Sequence, residues 1–358
     1  MTAVAAPPAV DLRDTPLVTI ELDIMEANIR RLQAYCDAHG IANRPHIKTH
    51  KVPQIARQQV AAGAAGITCQ KLGEVAVMLE AGITDILVTY NILGEAKLRR
   101  LRELAARPGA CLTVAIDNAA AARALSSAFG DAAAPLPVLI ECDTGGSRQG
   151  TQTPAETTEL AQTVARLPGL RFAGLMTYPI TDDTAAFFEA ALARLERAGL
   201  PAEVVSTGGT PVYRRAHTVP GVTEHRAGTY VFNDRATVAA GAATWDDCAM
   251  RVRTTVVSRP TAQRAIVDAG SKTLSSDLLG LEGHGRIVEY PAAVITRLNE
   301  EHGIVDLENC PAKPDVGEIV SVIPNHTCVV TNLHDALVGV RGGRVEVVWP
   351  VAARGAVR

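Results

Sequence analysis

Between residues 41 and 230 the chain alternates eight times between a short β-rich run and a stretch with helical spacing. The runs are Ile41–Ile47, Gly66–Cys69, Asp85–Thr89, Cys111–Ile116, Pro137–Cys142, Arg171–Thr177, Ala202–Ser206 and Glu224–Thr229. Segments rich in Ala, Leu, Arg and Glu lie between them, such as Thr153–Arg166 and Thr184–Ala198. Gly40, Gly82, Gly130 and Gly199 each follow such a segment, where a left-handed residue commonly ends a helix. Strand alternating with helix calls for parallel strands joined by crossover helices. Eight such units predict an α/β fold of the (β/α)8 TIM type. An open doubly wound sheet is the second choice, but it more often has about five to seven strands.

After about residue 242 the helical spacing fades. Val/Ile/Thr-rich runs follow at Met250–Ser258, Arg264–Asp268, Glu289–Leu298, Glu318–Ile323 and Arg344–Trp349, separated by turn signals. The expected organisation is a disordered lead-in over 1–14, a barrel over 15–242 and a mostly-β domain over 243–358, with 15–22 available to pair with that domain. A chain of 358 residues that is 47% hydrophobic supports a large core and is not a mainly disordered one. With 35 basic against 38 acidic residues it shows no electrostatic footprint for nucleic acid or an anionic membrane. No stretch reaches the ~18 apolar residues of a membrane span. Thr2–Val10 lacks the basic start and long apolar run of a signal peptide. Seven scattered cysteines without a C-x-x-C pair suit a reducing cytoplasm. A cytoplasmic enzyme is the starting expectation.

Barrel enzymes place their chemistry where the strands end. Lys48 follows the first run, Gln70 and Lys71 the second, and Tyr90-Asn91 the third. Glu141, Asp143 and Arg148 follow the fifth, and Tyr178 the sixth. Ser206-Thr-Gly-Gly-Thr210 closes the seventh and Gly228-Thr-Tyr230 the eighth. A lysine desolvated in a barrel mouth has a lowered pKa and suits Schiff-base chemistry. Arg44, Lys51, His46 and His50 are expected to lower it further. A lone lysine here more often just pairs with a carboxylate, but the two Gly/Thr turns change the reading. Barrels commonly build a phosphate site from backbone N–H groups after strands seven and eight. A strand-end lysine with a phosphate cradle points to pyridoxal 5′-phosphate (PLP), which the protein holds and orients.

Taken together, the chain resembles the fold-type III PLP enzymes, the alanine-racemase-like barrels. Within them it is similar to D-threonine aldolases, D-3-hydroxyaspartate aldolases and dehydratases, and D-serine dehydratases. Arg44-Pro-His-Ile-Lys-Thr-His-Lys51 and Pro324-Asn-His-Thr-Cys328 carry the resemblance most specifically. Thr68-Cys-Gln-Lys71, Ile140-Glu-Cys-Asp143, Arg148-Gln-Gly150, Thr207-Gly-Gly-Thr210, Ala227-Gly-Thr-Tyr230 and Asp268-Ala-Gly270 extend it over nearly the whole chain. The resemblance implies that Lys48 carries PLP and acts with Tyr178 in catalysis. It further implies that Thr207, Gly208, Gly209, Thr210, Gly228, Thr229 and Tyr230 hold the phosphate, with Arg148 and Tyr178 beside the cofactor ring. A homodimer is implied too.

His326 and Cys328, two apart, are read as lying on an extended segment with both side chains on one face. Nitrogen with thiolate sulfur favours Zn2+ over Mn2+. By itself the pair is incomplete, and a cysteine among valines is usually a small hydrophobe. The resemblance makes the pair a divalent-metal site, with His334 as a candidate helper. The implied substrates are D-amino acids with a β-hydroxyl, either dehydrated to a 2-oxo acid and ammonia or split to glycine and an aldehyde. Cys328 in place of the aldolases' commoner Asp favours dehydration. So does Pro179-Ile180-Thr181 after Tyr178, where relatives often carry His-Gly or Gln-Gly. Two further readings are a non-catalytic PLP-binding protein, which would lack the β domain, and a racemase, whose β-domain base could only be Tyr290.

Overall fold

Strands buried on both faces read as continuous apolar runs, and most of those between residues 41 and 208 do so because helices cover one side and packed side chains fill the other, whereas the last, Glu224-His-Arg226, is polar. The structure, a computed structural model, describes residues 10–358. β1 (Leu17–Glu21) comes first. It is followed by β2 (Ala42–Asn43), β3 (Ile67–Cys69), β4 (Asp85–Val88), β5 (Cys111–Ile116), β6 (Leu136–Cys142), β7 (Leu170–Thr177), β8 (Val204–Gly208) and β9 (Glu224–Arg226). β2 to β9 run parallel in the order β2-β9-β8-β7-β6-β5-β4-β3, and a parallel bridge between His46 and Thr68 links the two end strands. All eight predicted runs are thus strands of one TIM-like barrel. Residues at alternate positions divide its core. Ile86, Val88, Val114, Ile116, Val138 and Ile140 pack with the helices, while Leu87, Ala115, Leu139, Ala173 and Met176 form a separate inner cluster. Gly40, Gly82 and Gly199 end their helices with positive φ, whereas Gly130 keeps a helical φ of −59°.

The later strands are antiparallel apart from one pairing. They are β10 (Met250–Thr261), β11 (Arg264–Val267), β12 (Arg286–Ile287), β13 (Val294–Leu298), β14 (Gly303–Asp306), β15 (Ile319–Ile323), β16 (Ala336–Arg341) and β17 (Arg344–Pro350). They form a sheet of order β13-β14-β11-β10-β1-β16-β17, with β15 on β10 and β12 on β15. β1 runs antiparallel to β10 and parallel to β16. The five sequence runs correspond to β10, β11, β13, β15 and β17, and β12, β14 and β16 come in addition.

The described chain divides into two compact units. One holds residues 31–48, 53–228 and 355–358, and the other holds residues up to 30, 49–52 and 229–354. Residues 23–30, 49–52 and 229–242, assigned to the barrel from sequence, therefore group with the strand-rich unit, as do 15–22. Of the expected lead-in, residues 1–9 lie outside the described residues. Asp11–Asp14 form a turn, and the Leu12 carbonyl accepts a hydrogen bond from Arg253 Nε at 2.9 Å, so order begins earlier than the composition suggests. Among the described residues no helix is long and apolar enough to cross a membrane.

Candidate active site

In the barrel unit, β2 passes through Arg44 and His46 into a short 3-10 turn, Ile47–Thr49, that carries Lys48. The Lys48 Nζ lies 5.9 Å from the centre of the Tyr178 ring. Tyr178 leaves β7 half-exposed, and the Arg148 guanidinium stands 4.8 Å from the same ring centre. Gly208 and Gly209 flank that ring. A Cβ at Gly208 would come within 3.3 Å of Tyr178 Cδ2 and 3.1 Å of Arg226 Nη2. Gly209 has φ +116°, and a Cβ there would meet Tyr178 Cε2 at 3.6 Å. Four strand exits predicted separately thus converge on one aromatic ring: Lys48, Arg148, Tyr178 and the Gly208-Gly209 turn.

The electrostatics of this end are set by buried groups. His46 is buried, with Nε2 3.2 Å from Gln70 Oε1. Burial first, and then the charge of Lys48, push its pKa well down, so it is a neutral imidazole. Glu141 is buried and accepts from Arg148 Nη2 at 3.2 Å and Gln149 Nε2 at 2.5 Å, yet burial outweighs these bonds and raises its pKa. Asp143 accepts from the amides of Gly145, Gly146 and Ser147, which fixes the loop that presents Arg148.

Arg226 is the residue that sequence reading missed. It is buried, donates to Ser206 Oγ and to the Thr177 carbonyl, and is pushed down to about 10, chiefly by burial. A charged residue pointing inward from a barrel strand, in Glu224-His-Arg226, was the available signal.

Two expectations about this end need correction. Arg44 is committed to two carboxylates and is not a free neighbouring cation. Its guanidinium is held by Glu224 (2.5 Å) and Asp85 (2.6 Å), the first residues of β9 and β4, and therefore belongs to the strand starts. Alternation puts Arg44 and His46 on one face but in successive layers. Thr207 turns its hydroxyl to His225 Nδ1 at 2.9 Å, so only its backbone faces the turn. The Gly209 amide is likewise committed, to the Arg226 carbonyl at 3.0 Å, and this bond ties the exits of β8 and β9 together beside Gly228. Among the described residues the Gly228 and Thr229 amides are donated to no carbonyl.

The strand-rich unit holds the second constellation. His326 is the extended N-cap residue of a helix, Thr327–Leu333, and Cys328 lies in its first turn. The pair is therefore not on a strand. The physical reason is a cap from far away in the chain: Asp234 Oδ2 accepts from the Thr327 amide at 3.1 Å and bonds His326 Nδ1 at 2.9 Å. A carboxylate on Nδ1 fixes the imidazole and leaves Nε2 as the ligand atom, the usual arrangement behind a metal-binding histidine. Burial alone would lower the His326 pKa, but Cys328 and Asp234 outweigh it and push it up to about 10. Cys328 Sγ is 3.2 Å from Thr49 Oγ1 and 3.9 Å from Thr229 Oγ1. Imidazole nitrogen and sulfur, backed by a carboxylate, are a donor set that fits a divalent ion.

The remaining candidates separate out. His334 is half-buried with Nε2 3.2 Å from the Thr273 carbonyl, so that nitrogen is engaged away from the pair. Lys51 Nζ donates to the Ala353 carbonyl, and His50 Nδ1 accepts from the Val52 amide. Tyr230 is buried in the turn Thr229–Val231. Tyr290 donates to Glu318 Oε1 at 2.7 Å, which raises its pKa to about 12 and holds it as the neutral phenol.

Residues 20–236 match the alanine racemase N-terminal domain family, and residues 249–340 match a serine dehydratase domain. The D-threonine aldolase of Arthrobacter sp. is 37% identical over 96% of this chain and 93% of its own. The chain belongs to the fold-type III PLP lyases of D-3-hydroxy amino acids. The D-threo-3-hydroxyaspartate dehydratase of Delftia sp. is 35% identical over 88% of this chain and 91% of its own. Its solved forms include a histidine-to-alanine variant and a metal-free cysteine-to-alanine variant, the two positions lying two residues apart. The solved D-threonine aldolase of Filomicrobium marinum superposes with a TM-score of 0.89 at 34% identity, over 99% of this chain and 100% of its own. The barrel, the glycine turns around Tyr178 and the lysine at the first strand exit fit the PLP that this family uses.

Proposed function

We propose that this lyase is a dehydratase that converts a D-configured 3-hydroxy amino acid, D-serine or D-threo-3-hydroxyaspartate, to a 2-oxo acid and ammonia. The carrying observation is the His326–Cys328 pair with Asp234 behind the imidazole. Its spacing equals that of the histidine and cysteine altered in the Delftia dehydratase. Thiolate and imidazole favour Zn2+ over Mn2+.

When bound, PLP supplies an electron sink for negative charge at the substrate α-carbon, and a divalent ion supplies Lewis acidity. Lys48 would hold the cofactor and take the α-proton on Nζ. Tyr178 and Arg148 would fix the ring, and the turns at 207–210 and 228–230 would hold the phosphate, the Gly228 and Thr229 amides being free to donate among the described residues while that of Gly209 is committed to Arg226. His326 and Cys328 would hold the ion, and Asp234 would keep His326 in one tautomer. With Cα–H broken, the β-hydroxyl is the group that leaves. We place the active form as a homodimer, which a sedimentation measurement would check.

Retro-aldol cleavage to glycine and an aldehyde is the second reading, favoured by the 37% identity to the Arthrobacter aldolase. Product analysis on D-serine, D-threonine and D-threo-3-hydroxyaspartate, with Zn2+ or Mn2+, separates the two. Ammonia should be the main product, α-deuteration should slow any dehydration limited by Cα–H cleavage, and the L-enantiomers should be inert. Glycine as the dominant product would overturn the dehydratase reading.

A further inference from the structure

Inside the strand-rich unit lies a cavity of about 220 Å3 lined by Arg235, Trp245, Glu282, Arg286, Pro291 and Val294. It is smaller than the ~300 Å3 at which sites for drug-sized ligands begin, so its ligand would be small. Its chemistry is that of two guanidinium groups on an apolar wall. Arg235 donates through Nη1 to the Gly283 carbonyl (3.2 Å) and Asn325 Oδ1 (2.9 Å), and through Nη2 to the Glu282 carbonyl (2.8 Å). These three oxygens fix the group without neutralising it. Among the described residues its Nε–H has no acceptor and Nη2 serves a single one, so donor capacity remains on the Nε/Nη2 side for a carboxylate. Arg286 emerges from β12 and stacks 4.2 Å from the Trp245 ring. Among the described residues its guanidinium is bonded to no carboxylate. Two like charges thus share one small cavity, and Glu282 at the wall offsets only one of them. Consistently, burial and then Arg286 lower the pKa of Arg235.

We propose that this cavity binds a short dicarboxylate, one carboxylate on the open edge of Arg235 and the other on Arg286, with the carbon chain against Trp245, Pro291 and Val294. Bidentate recognition by a rigidly held arginine explains why Arg235 is anchored through three neutral oxygens rather than spent on an internal ion pair. A monocarboxylate would satisfy one guanidinium and leave the other repelling it. The proposal does not depend on the dehydratase reading.

Trp245 is the built-in reporter, and the chain has two tryptophans, of which Trp349 is buried. The holoenzyme should be titrated with succinate at constant ionic strength while tryptophan emission is followed, with acetate, phosphate and chloride in parallel. A saturable change is expected with succinate, and acetate should bind about tenfold or more weakly. Arg286→Gln should weaken succinate by about tenfold or more, the loss of one charge-assisted pair, with an unchanged melting temperature. Trp245→Phe should remove the optical signal while calorimetry still detects binding. Arg235 is anchored to three backbone and side-chain oxygens, so Arg286 is the variant of choice. A linear response, a response equal in chloride, or an unchanged succinate affinity in Arg286→Gln would overturn the site. Phosphate binding as tightly as succinate would overturn the dicarboxylate assignment.

Discussion

Lys48, Tyr178 and the Gly208-Gly209 turn stand where parallel strands end, whereas His326 stands at a helix start and is held by a carboxylate 92 positions earlier. In the barrel, position follows from strand register, which many hydrogen bonds and a close-packed interior enforce together. In the strand-rich unit, one buried side chain sets both the start of the helix and the orientation of the imidazole. The first arrangement spreads its geometry over many residues, and the second concentrates it on Asp234. The barrel site should therefore fail only when a reacting group is removed, while the metal pair should fail through a neighbour that touches no substrate.

Lys48→Ala should reduce turnover roughly a thousandfold or more while far-UV circular dichroism stays the same, because it removes cofactor attachment and base at once. Asp234→Asn comes next. It keeps the shape but loses the charge behind His326, and activity or metal affinity should fall about 10–100-fold, read by metal content after dialysis. Chelation, His326→Ala or Cys328→Ala removes the ion itself and should abolish turnover while leaving PLP absorbance nearly intact. If Asp234→Asn retains wild-type metal content, the contrast between spread and concentrated geometry collapses. Gly209→Ala forces a side chain into φ +116°, against Val212 at 3.2 Å. Such strain is worth about 1–3 kcal/mol, so PLP release should speed by about tenfold, measured by loss of cofactor on gel filtration.

The smallest effect on turnover is expected at the far end of the same strands. Arg44 and Glu224 are nearly buried, with side chains 14% and 7% exposed. Breaking a buried pair typically costs about 3–5 kcal/mol. Arg44→Ala should lower Tm by several degrees yet change turnover per folded molecule by less than about twofold. A large loss of kcat without loss of stability would place Arg44 in the chemistry after all.

The eight barrel strands were legible because short β-rich runs, most of them apolar, alternate with helical spacing, four times marked by a helix-stop glycine, a pattern written locally in the chain. Lys48, Tyr178 and Gly208-Gly209 were legible for the same reason, since strand ends can be counted. The layer of each side chain was not. Arg44, His46 and Lys48 follow one another at spacing two, but only the three-dimensional stagger of the barrel sends Arg44 to Asp85 and Glu224 and leaves His46 beside Lys48. The strand expected around Cys328 was a helix because its cap comes from Asp234, which no local pattern reveals. Arg226 escaped notice because attention went to residues after the strands rather than to charges inside them. That 15–22 could join the later domain was legible, and β1 does so; its partners β10 and β16, more than 200 residues away, and their directions were not.

The account stands most directly on Lys48 as the residue that holds the cofactor. Borohydride reduction of the purified holoenzyme, followed by proteolysis and peptide mass mapping, reads this without reference to turnover. The pyridoxyl mass should appear on Lys48 and be absent from the Lys48→Ala variant. Label on Lys51 or Lys71 instead, or no label on an enzyme that still turns over, would contradict it.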